Sequence, residues 1–186
     1  QSTPHVIVSS SSQEQNDTLY GKSKKQGRSM FGEWAKSKNA LFSGLVIPNV
    51  FGPFGKPNYN SVVATFCHQL SNNETPNIEV DSELKLIYIN ELVECIIDCI
   101  HRKTVQEKYV VKHTSEIKVS EVLTLLKNFK TLYQNSGEIP RMRSVFELNL
   151  FNTFRSFMDV KNLFPRKLTA HKDARGSFVE LIRLGI

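Results

Sequence analysis

The sequence predicts an α/β fold in which helices cover a parallel β-sheet. Short runs rich in β-branched and aromatic residues, at residues 5–8, Leu41–Ile47 and 108–112, are typical of buried strands. Segments of ten or more residues with helical spacing of apolar side chains separate these runs, as expected for crossover helices. The composition agrees, because 40% hydrophobic residues in a chain of 186 can bury a core and argue against disorder.

The first half of the chain is predicted to alternate between strand and helix. The strand at residues 5–8 ends in a run of four serines, and a helix follows from residue 20 to about residue 38. The second strand, Leu41–Ile47, leads into an irregular loop at residues 48–57 that contains three prolines and two glycines. One apolar face is predicted on the first helix: Met30, Phe31, Trp34 and Ala35.

The second half continues this alternation. Helices are predicted at residues 60–70, 91–101, 120 to about 134, and 145–158, the second and third capped by Asn90 and Ser120. Short strands are predicted at residues 77–80, 85–89, 108–112 and 178–184. A polar connection that contains a proline, at residues 161–172, separates the last helix from the last strand. We therefore predict two domains, residues 1–160 and residues 161–186.

The charge and the cysteine content limit the classes of binding partner that we expect. The 24 Lys and Arg residues outnumber the 18 Asp and Glu residues, but they are scattered, whereas a nucleic-acid surface needs a concentrated basic patch. Cys67, Cys95 and Cys99 lack CxxC spacing, which fits a reducing cytoplasm. Cys95 and Cys99 lie four apart in an apolar helix-like stretch and are predicted to be buried thiols. No apolar run approaches the roughly 18 residues of a membrane span. We expect neither a nucleic-acid partner nor a membrane partner.

A phenol and an ammonium lie four residues apart in the segment Tyr20-Gly-Lys-Ser-Lys24, and therefore on one face of the predicted helix. The cation favours the phenolate, so a tyrosine in this setting can act as a general acid or base near neutral pH. The pair follows a strand that ends in serines and precedes a strand with a Pro/Gly loop. This context favours a catalytic pair over an exposed surface pair.

This order of motifs resembles the extended short-chain dehydrogenase/reductase family, whose members act on nucleotide sugars. The resemblance implies a Rossmann-type parallel sheet and covers roughly residues 1–135. It is carried by residues 6–12, 20–24, 45–53 and 86–93.

The resemblance implies roles for three side chains. Ser11 would hydrogen-bond the carbonyl or hydroxyl of the substrate, and Tyr20 would exchange its proton with that group. Lys24 would hold the ribose of the nicotinamide cofactor, so Tyr20 and Lys24 are also cofactor-binding residues. Each serine at positions 9–12 is a candidate for the serine role, and Ser11 is our assignment.

The loop after the second strand supplies the other candidates. Pro48, Asn49 and Val50 resemble the segment that frames the nicotinamide. Asn49 and Asn60 offer amide donors and acceptors that suit sugar hydroxyls and phosphate, and we predict that both bind substrate together with Ser11. Turn and helix-cap geometry is the competing explanation for these two asparagines.

The end of the chain extends the resemblance. Asp-Ala-Arg-Gly-Ser-Phe at residues 173–178 looks like the opening of a cupin domain related to deoxysugar epimerases. A reductase joined to such a cupin resembles the bifunctional enzymes of capsular polysaccharide synthesis that make an N-acetyl-fucosamine precursor. This implies reduction of a UDP-linked 4-keto-deoxy-acetamido sugar with NADPH, or with NADH, by a homodimer. Zinc is expected only in the remainder of the cupin, and His171 is interpreted as a surface residue rather than a metal ligand.

Two other functions stay open. One is a nucleotide-sugar 4-epimerase of the same superfamily, and the other is a non-catalytic interaction module. A 4,6-dehydratase is disfavoured because Ser12 and Gln13, not an acidic pair, follow Ser11. The sequence contains no GxxGxxG loop, which cradles the cofactor pyrophosphate in a Rossmann domain. We therefore expect the chain to be a fragment of a longer enzyme and to show no turnover by itself.

Overall fold

The computed structural model describes residues 3–163 and 165–185, which form two compact units. The first unit contains the described residues of Gln1–Val50 and Leu84–Ile117. The second contains those of Phe51–Glu83 and Lys118–Ile186. The predicted domain boundary near residue 160 lies inside the second unit and stays a prediction.

The described elements alternate between strand and helix over most of the chain. The strands are β1 (His5–Ser11), β2 (Leu41–Ile47), β3 (Asn49–Phe51), β4 (Glu83–Tyr88), β5 (Gln106–Val110), β6 (Ser115–Lys118), β7 (Glu138–Ile139), β8 (Ala170–Asp173), β9 (Gly176–Val179) and β10 (Arg183–Leu184). The α-helices are α1 (Leu19–Ser37), α2 (Val62–Ser71), α3 (Ile89–His101), α4 (Val119–Phe129), α5 (Val145–Arg155) and α6 (Val160–Leu163). A 3₁₀ turn (Ser12–Gln15) follows β1, and a π-helical turn (Lys130–Ser136) extends α4.

A parallel sheet with the strand order β1–β2–β5 forms the centre of the first unit. β1 and β2 pair residue by residue, from His5 opposite Leu41 to Ser11 opposite Ile47. Helix α1 connects these two strands, as a parallel connection requires. The predicted α/β class is confirmed. A second sheet has the order β3–β4–β6.

The core of the first unit surrounds the second half of β2. Leu45 and Ile47 pack with α3 and with the ends of β4 and β5, and each such aliphatic side chain contributes about 1.5–3 kcal/mol when fully buried. The other buried members of this cluster are Ile87, Leu92, Cys99 and Val111.

Helix α1 presents its apolar face differently from the prediction. Met30, Phe31 and Trp34 are 60%, 51% and 50% exposed, whereas Ala35 is buried. The predicted set is therefore wrong as a core face. The reason is close packing on β2, because a Cβ at Gly32 would lie 3.2 Å from the Phe42 ring, so only small residues fit between helix and strand.

Two helix caps each lie two residues before the predicted position. In the first unit Tyr88, not Asn90, precedes α3, and its N–H donates to the Glu91 carboxylate at 3.1 Å. In the second unit Lys118, not Ser120, precedes α4, and its N–H donates to Glu121 at 3.0 Å. A glutamate three residues into a helix satisfies the N-cap amide and so sets the start of the helix.

The strand predicted at residues 77–80 is not a strand in the structure.

Aromatic packing forms the core of the second unit. The rings of Phe129 and Phe151 meet edge to face with centroids 5.3 Å apart, and Tyr133 meets Phe151 at 5.0 Å. Phe154 and Leu150 of α5 are fully buried beside them. The aromatic helix predicted at residues 145–158 is therefore confirmed as a core element, although α5 ends at Arg155.

Residues 165–185, called the C-terminal segment below, belong to the second unit and bond to its π-helical turn and to β7. β8 and β9 form an exposed antiparallel hairpin, and β10 pairs in parallel with β7 over two residues. Arg166 donates to the carbonyl oxygens of Tyr133, Gln134 and Asn135 at 2.7, 2.6 and 3.3 Å. The guanidinium thus caps the π-helical turn. In the described part of the chain no helix is long and apolar enough to cross a membrane.

Candidate active site

The candidate residues of the first unit gather at the carboxyl edge of the parallel sheet. Ser11 is the last residue of β1 and pairs with Ile47, the last residue of β2. Pro48 follows Ile47 directly, so the serine and the start of the predicted nicotinamide loop lie at neighbouring strand ends. This edge is where parallel α/β sheets bind their ligands.

The structure distinguishes the serines of the predicted cluster. Ser10 is buried, and its hydroxyl donates to Glu14 at 2.7 Å. Ser11 is partly buried, and its oxygen accepts the Gln13 amide at 3.2 Å, which starts the 3₁₀ turn. Since a hydroxyl carries one hydrogen and two lone pairs, this bond leaves the Ser11 hydrogen available as a donor. Ser9 and Ser12 are exposed. Below, "serine turn" means Ser11 together with the 3₁₀ turn.

Tyr20 and Lys24 occupy the first two turns of α1. The helix begins after Thr18, whose hydroxyl accepts the Gly21 amide at 3.0 Å. The Lys24 ammonium lies over the Tyr20 ring, 5.5 Å from its centroid, a cation–π contact worth about 0.5–1 kcal/mol at an exposed site. The side chain of Lys24 is partly buried while Tyr20 is exposed. The structure thus brings together the phenol and the ammonium that the YxxxK spacing predicted.

Gly21 allows the serine turn to lie against the start of α1. A Cβ at this position would lie 2.4 Å from the Gln13 carbonyl oxygen and 2.6 Å from that of Asn16. Both distances are far below van der Waals contact, so only glycine permits the approach. The glycine between Tyr20 and Lys24 therefore sets how closely the 3₁₀ turn can approach the start of α1.

A buried ion pair underlies the same turn. The Arg28 guanidinium donates from Nε and Nη2 to the two oxygens of Glu14, at 3.0 and 3.1 Å, and from Nη1 to the Glu107 carbonyl oxygen at 2.7 Å. Their side chains are 9% and 1% exposed. Ser10 donates to the same carboxylate, and the Lys108 ammonium lies 3.5 Å from it. Removing one partner of such a pair typically costs about 3–5 kcal/mol, because the other charge stays buried.

Burial raises the pKa of the Glu14 carboxyl, but its hydrogen bonds from Arg28 and Ser10 and the charges of Arg28 and Lys108 lower it more. The net pKa lies below the ordinary value, so the carboxylate is ionised at neutral pH. Sequence reasoning missed this pair. The available signal was the position of Arg28, four residues after Lys24 and eight after Tyr20, on the same face of α1.

The predicted loop candidates are spread over both units. Pro48 is partly buried between β2 and β3, Asn49 is exposed, and Val50 packs against the core of the first unit. Asn60 is an exposed residue of the second unit. It precedes Ser61, whose hydroxyl accepts the Ala64 amide and caps α2, so capping does not occupy the Asn60 side chain.

The described residues contain no group of three or more His, Cys, Asp or Glu side chains arranged to hold a metal ion. His171 is exposed on β8. The zinc that the resemblance implies for the remainder of a cupin stays a prediction about residues outside this chain.

No family model matches the chain. The chain is 31% identical over 180 residues to UDP-2-acetamido-2,6-beta-L-arabino-hexul-4-ose reductase from Pseudomonas aeruginosa, which covers 96% of this chain and 48% of the reductase. It superposes on the capsular polysaccharide assembling protein CapF from Staphylococcus aureus with a TM-score of 0.84 and 32% identity, over 98% of this chain and 51% of that one.

A more distant structure shows a likeness in fold alone. UDP-N-acetylglucosamine 4-epimerase from Methanobrevibacter ruminantium superposes with a TM-score of 0.66 at 18% identity, over 82% of this chain and 62% of that one. The chain thus spans about half the length of the reductase and of CapF.

The parallel sheet and these superpositions confirm the predicted Rossmann-type fold. The chain is similar along nearly its whole length to the UDP-linked hexulose reductase and to CapF, which agrees with the resemblance to the extended short-chain dehydrogenase/reductase family.

Proposed function

We propose that the protein containing this chain is a nicotinamide-dependent reductase that converts the C4 ketone of a UDP-linked deoxy-acetamido sugar into an alcohol. One observation carries the proposal. The Tyr20–Lys24 pair opens the helix that follows the serine edge of the sheet, in a chain 31% identical to a reductase of a UDP-linked hexul-4-ose.

The donors at this edge fit the nicotinamide half of a dinucleotide. Lys24 offers three N–H donors for ribose hydroxyls, and its ammonium lies beside the phenol of Tyr20. The main chain of Pro48, Asn49 and Val50 follows the carboxyl end of β2, where such ligands bind. When bound, reduced nicotinamide supplies the hydride for C4. We propose NADPH as the cofactor.

The side chains of the first unit supply the rest of the reaction. Ser11 donates its free hydrogen to the C4 carbonyl oxygen and orients the ketone. Tyr20 gives its phenolic proton to that oxygen as the C4–H bond forms, which leaves an alcohol and a phenolate. Lys24 stabilises the phenolate until solvent returns the proton. General acid catalysis of this kind contributes about 10²–10⁴-fold.

Substrate contacts are proposed for three residues. Ser11 binds the reacting carbonyl as described above. Asn49 and Asn60 are exposed amides with both donors and acceptors, and we assign them to sugar hydroxyls or phosphate. Asn49→Ala and Asn60→Ala should each raise KM for the sugar nucleotide more than they lower kcat.

A homodimer is the proposed assembly. Met30, Phe31 and Trp34 form an exposed apolar stripe on α1, and apolar patches of this kind mark interaction sites. A second copy of the same helix is the proposed occupant. Sedimentation equilibrium of the longer protein should give twice the mass of one copy of that protein. A monomer at micromolar concentration would contradict the assignment.

The similarity to CapF supports a proposal for the biological setting. CapF is described as a capsular polysaccharide assembling protein, so we propose a role in making an N-acetyl-fucosamine-type precursor. Residues 161–186 are proposed as the start of a zinc-holding cupin.

The cytoplasm is the proposed location. The free cysteines Cys67, Cys95 and Cys99 suit its reducing conditions. Secretion of the native protein with these thiols oxidised would contradict that location.

The proposal is tested with the longer protein, a UDP-linked 4-keto-deoxy-acetamido sugar and NADPH. We expect one NADPH to be oxidised for each ketone reduced, with slower reduction when NADH replaces it. Turnover of a 4-hydroxy sugar to its C4 epimer without net NADPH oxidation would instead identify a 4-epimerase. Absence of both reactions would favour an interaction module. The chain alone should be inactive.

A further inference from the structure

We propose that the Glu14–Arg28 ion pair is a positioning device for the candidate active site. It fixes the serine turn onto the helix that carries Tyr20 and so sets the separation of the Ser11 and Tyr20 hydroxyls. The inference rests on the proposed function for its catalytic consequence, but its structural part can be tested without activity.

Glu14 is the anchor of the serine turn. It is the buried residue of the 3₁₀ turn, whereas Ser12, Gln13 and Gln15 are exposed. Ser11 begins the turn by accepting the Gln13 amide at 3.2 Å. The Ser11 backbone is paired with Ile47 of β2, whereas the direction of its side chain also depends on the turn. The buried Glu14 carboxylate links this turn to Ser10 and Arg28.

Arg28 provides the other end of the link. It lies two helical turns after Tyr20 on the same face of α1. Its planar fork binds both oxygens of Glu14, at 3.0 and 3.1 Å, which restricts orientation as well as distance. A shift of the turn relative to α1 would break both bonds at once.

The pair is itself held by the sheet. Arg28 Nη1 donates to the Glu107 carbonyl oxygen of β5 at 2.7 Å, and Ser10 of β1 donates to Glu14 at 2.7 Å. Gly44 of β2 leaves room for the arginine stem, because a Cβ there would lie 2.6 Å from Arg28 Cδ and 2.5 Å from the Glu107 oxygen. The turn, the helix and the strands β1 and β5 thus meet at the Glu14 carboxylate, and β2 packs against the arginine stem.

A role in positioning predicts an effect on the chemical step rather than on binding. Tyr20 stays in place through the packing of α1 on β2, where Gly32 meets Phe42. Without the pair, the serine turn can move while Tyr20 does not. Displacement of a reacting group by about 1 Å can cost up to about 10²-fold in rate.

The first test uses Glu14→Gln in the longer protein, with NADPH and the UDP-linked 4-keto sugar. Glutamine keeps the shape and one acceptor but removes the charge. We expect kcat to fall about tenfold or more while KM for each substrate changes less than about threefold. Arg28→Lys keeps the positive charge but loses the two parallel N–H donors of the guanidinium. It should give a smaller fall in kcat than Arg28→Met.

A double-mutant cycle separates positioning from general stability. In a Ser11→Ala background the turn no longer carries the hydroxyl that orients the ketone. Adding Glu14→Gln should therefore lower kcat by less than about twofold further. The matched control is Glu91→Gln. Glu91 also accepts two hydrogen bonds in the first unit, from the Tyr88 amide and the Thr114 hydroxyl, but it belongs to α3. Its variant should keep the wild-type kcat.

The second test measures backbone hydrogen exchange on the same proteins. Glu14→Gln should speed exchange in peptides covering residues 9–18, where the Asn16 amide donates to the Gln13 oxygen at 2.9 Å, and not in residues 89–101. Unchanged exchange in residues 9–18 would overturn the inference, as would a wild-type kcat for Glu14→Gln. A fall in kcat that is as large in the Ser11→Ala background as in the wild type would also overturn it. If the wild type reduces no sugar, the proposed function fails and the exchange result alone decides whether the pair holds the turn.

Discussion

The serine turn and the C-terminal segment are both held by arginine–carboxylate bonds, but in different surroundings. Glu14 and Arg28 are almost completely buried, and every strong bond that they make joins different elements of the first unit. Arg183 binds Glu138 and Glu180 at an exposed site, with its side chain 59% accessible. The same chemistry therefore fixes a geometry in one place and only tethers a segment in the other, because water competes with the exposed pair.

The largest effect should come from breaking the buried pair. Arg28→Met leaves Glu14 without its main partner, and we expect the free energy of unfolding of the first unit to fall by about 3–5 kcal/mol. Denaturant titration measures this loss. The matched control is Arg183→Met, which removes an exposed arginine from two carboxylates. A loss as large for the control as for Arg28→Met would contradict the comparison.

The close approach at Gly21 should give the next largest effect. Gly21→Ala places a Cβ 2.4 Å from the Gln13 carbonyl oxygen, and such overpacking typically costs about 1–3 kcal/mol. Gly27→Ala is the control on the same helix, since nothing lies within 4 Å of its added Cβ. This control should stabilise α1 by about 0.5–1 kcal/mol. Thermal unfolding of the two variants should shift in opposite directions.

The attachment of the C-terminal segment is tested by limited proteolysis. We expect the longer protein to be cut between Met158 and Lys172, and Arg166→Ala should speed cutting about tenfold, because the arginine donates to three carbonyl oxygens. Arg175→Ala is the control, since Arg175 bonds only the exposed Asp173 in its own hairpin. Equal cutting of both variants, or cleavage inside Leu41–Ile47 first, would contradict the attachment described here.

The smallest effect concerns pH. Burial raises the pKa of Glu14, but Arg28, Ser10 and Lys108 together hold it below the ordinary carboxyl value. A lowered folded-state pKa stabilises the fold above the unfolded-state pKa of about 4.3, and this contribution is lost as pH falls through the folded value. The stability difference between wild type and Glu14→Gln should therefore shrink below about pH 4. A difference that grows with acid in a urea titration series would contradict this sign.

Local spacing predicted the part of the site that lies on one helix. Tyr20 and Lys24 are four residues apart, and an α-helix brings such residues together whatever surrounds it. The serine edge was also predictable, because β1 and β2 end at the same side of a parallel sheet. The roles of these residues remain predictions.

Features that depend on packing between elements could not be derived from the sequence. The Glu14–Arg28 pair joins residues fourteen positions apart through a turn whose shape no spacing rule fixes. The exposed position of Met30 and Trp34 follows from the small residues Gly32 and Ala35, which decide the face of α1 that meets β2. Hydrophobicity alone favoured the larger side chains.

The central claim is that the Tyr20–Lys24 pair performs proton transfer in a UDP-sugar reductase. Its most direct test is the rate of NADPH oxidation by Tyr20→Phe in the longer protein, with Tyr133→Phe as the control. Tyr133 also lies beneath a cation, the Arg155 guanidinium 5.7 Å from its ring, but belongs to the second unit. We predict a loss of at least about 10²-fold for Tyr20→Phe and wild-type activity for the control. Activity of Tyr20→Phe within a few-fold of wild type would contradict the account.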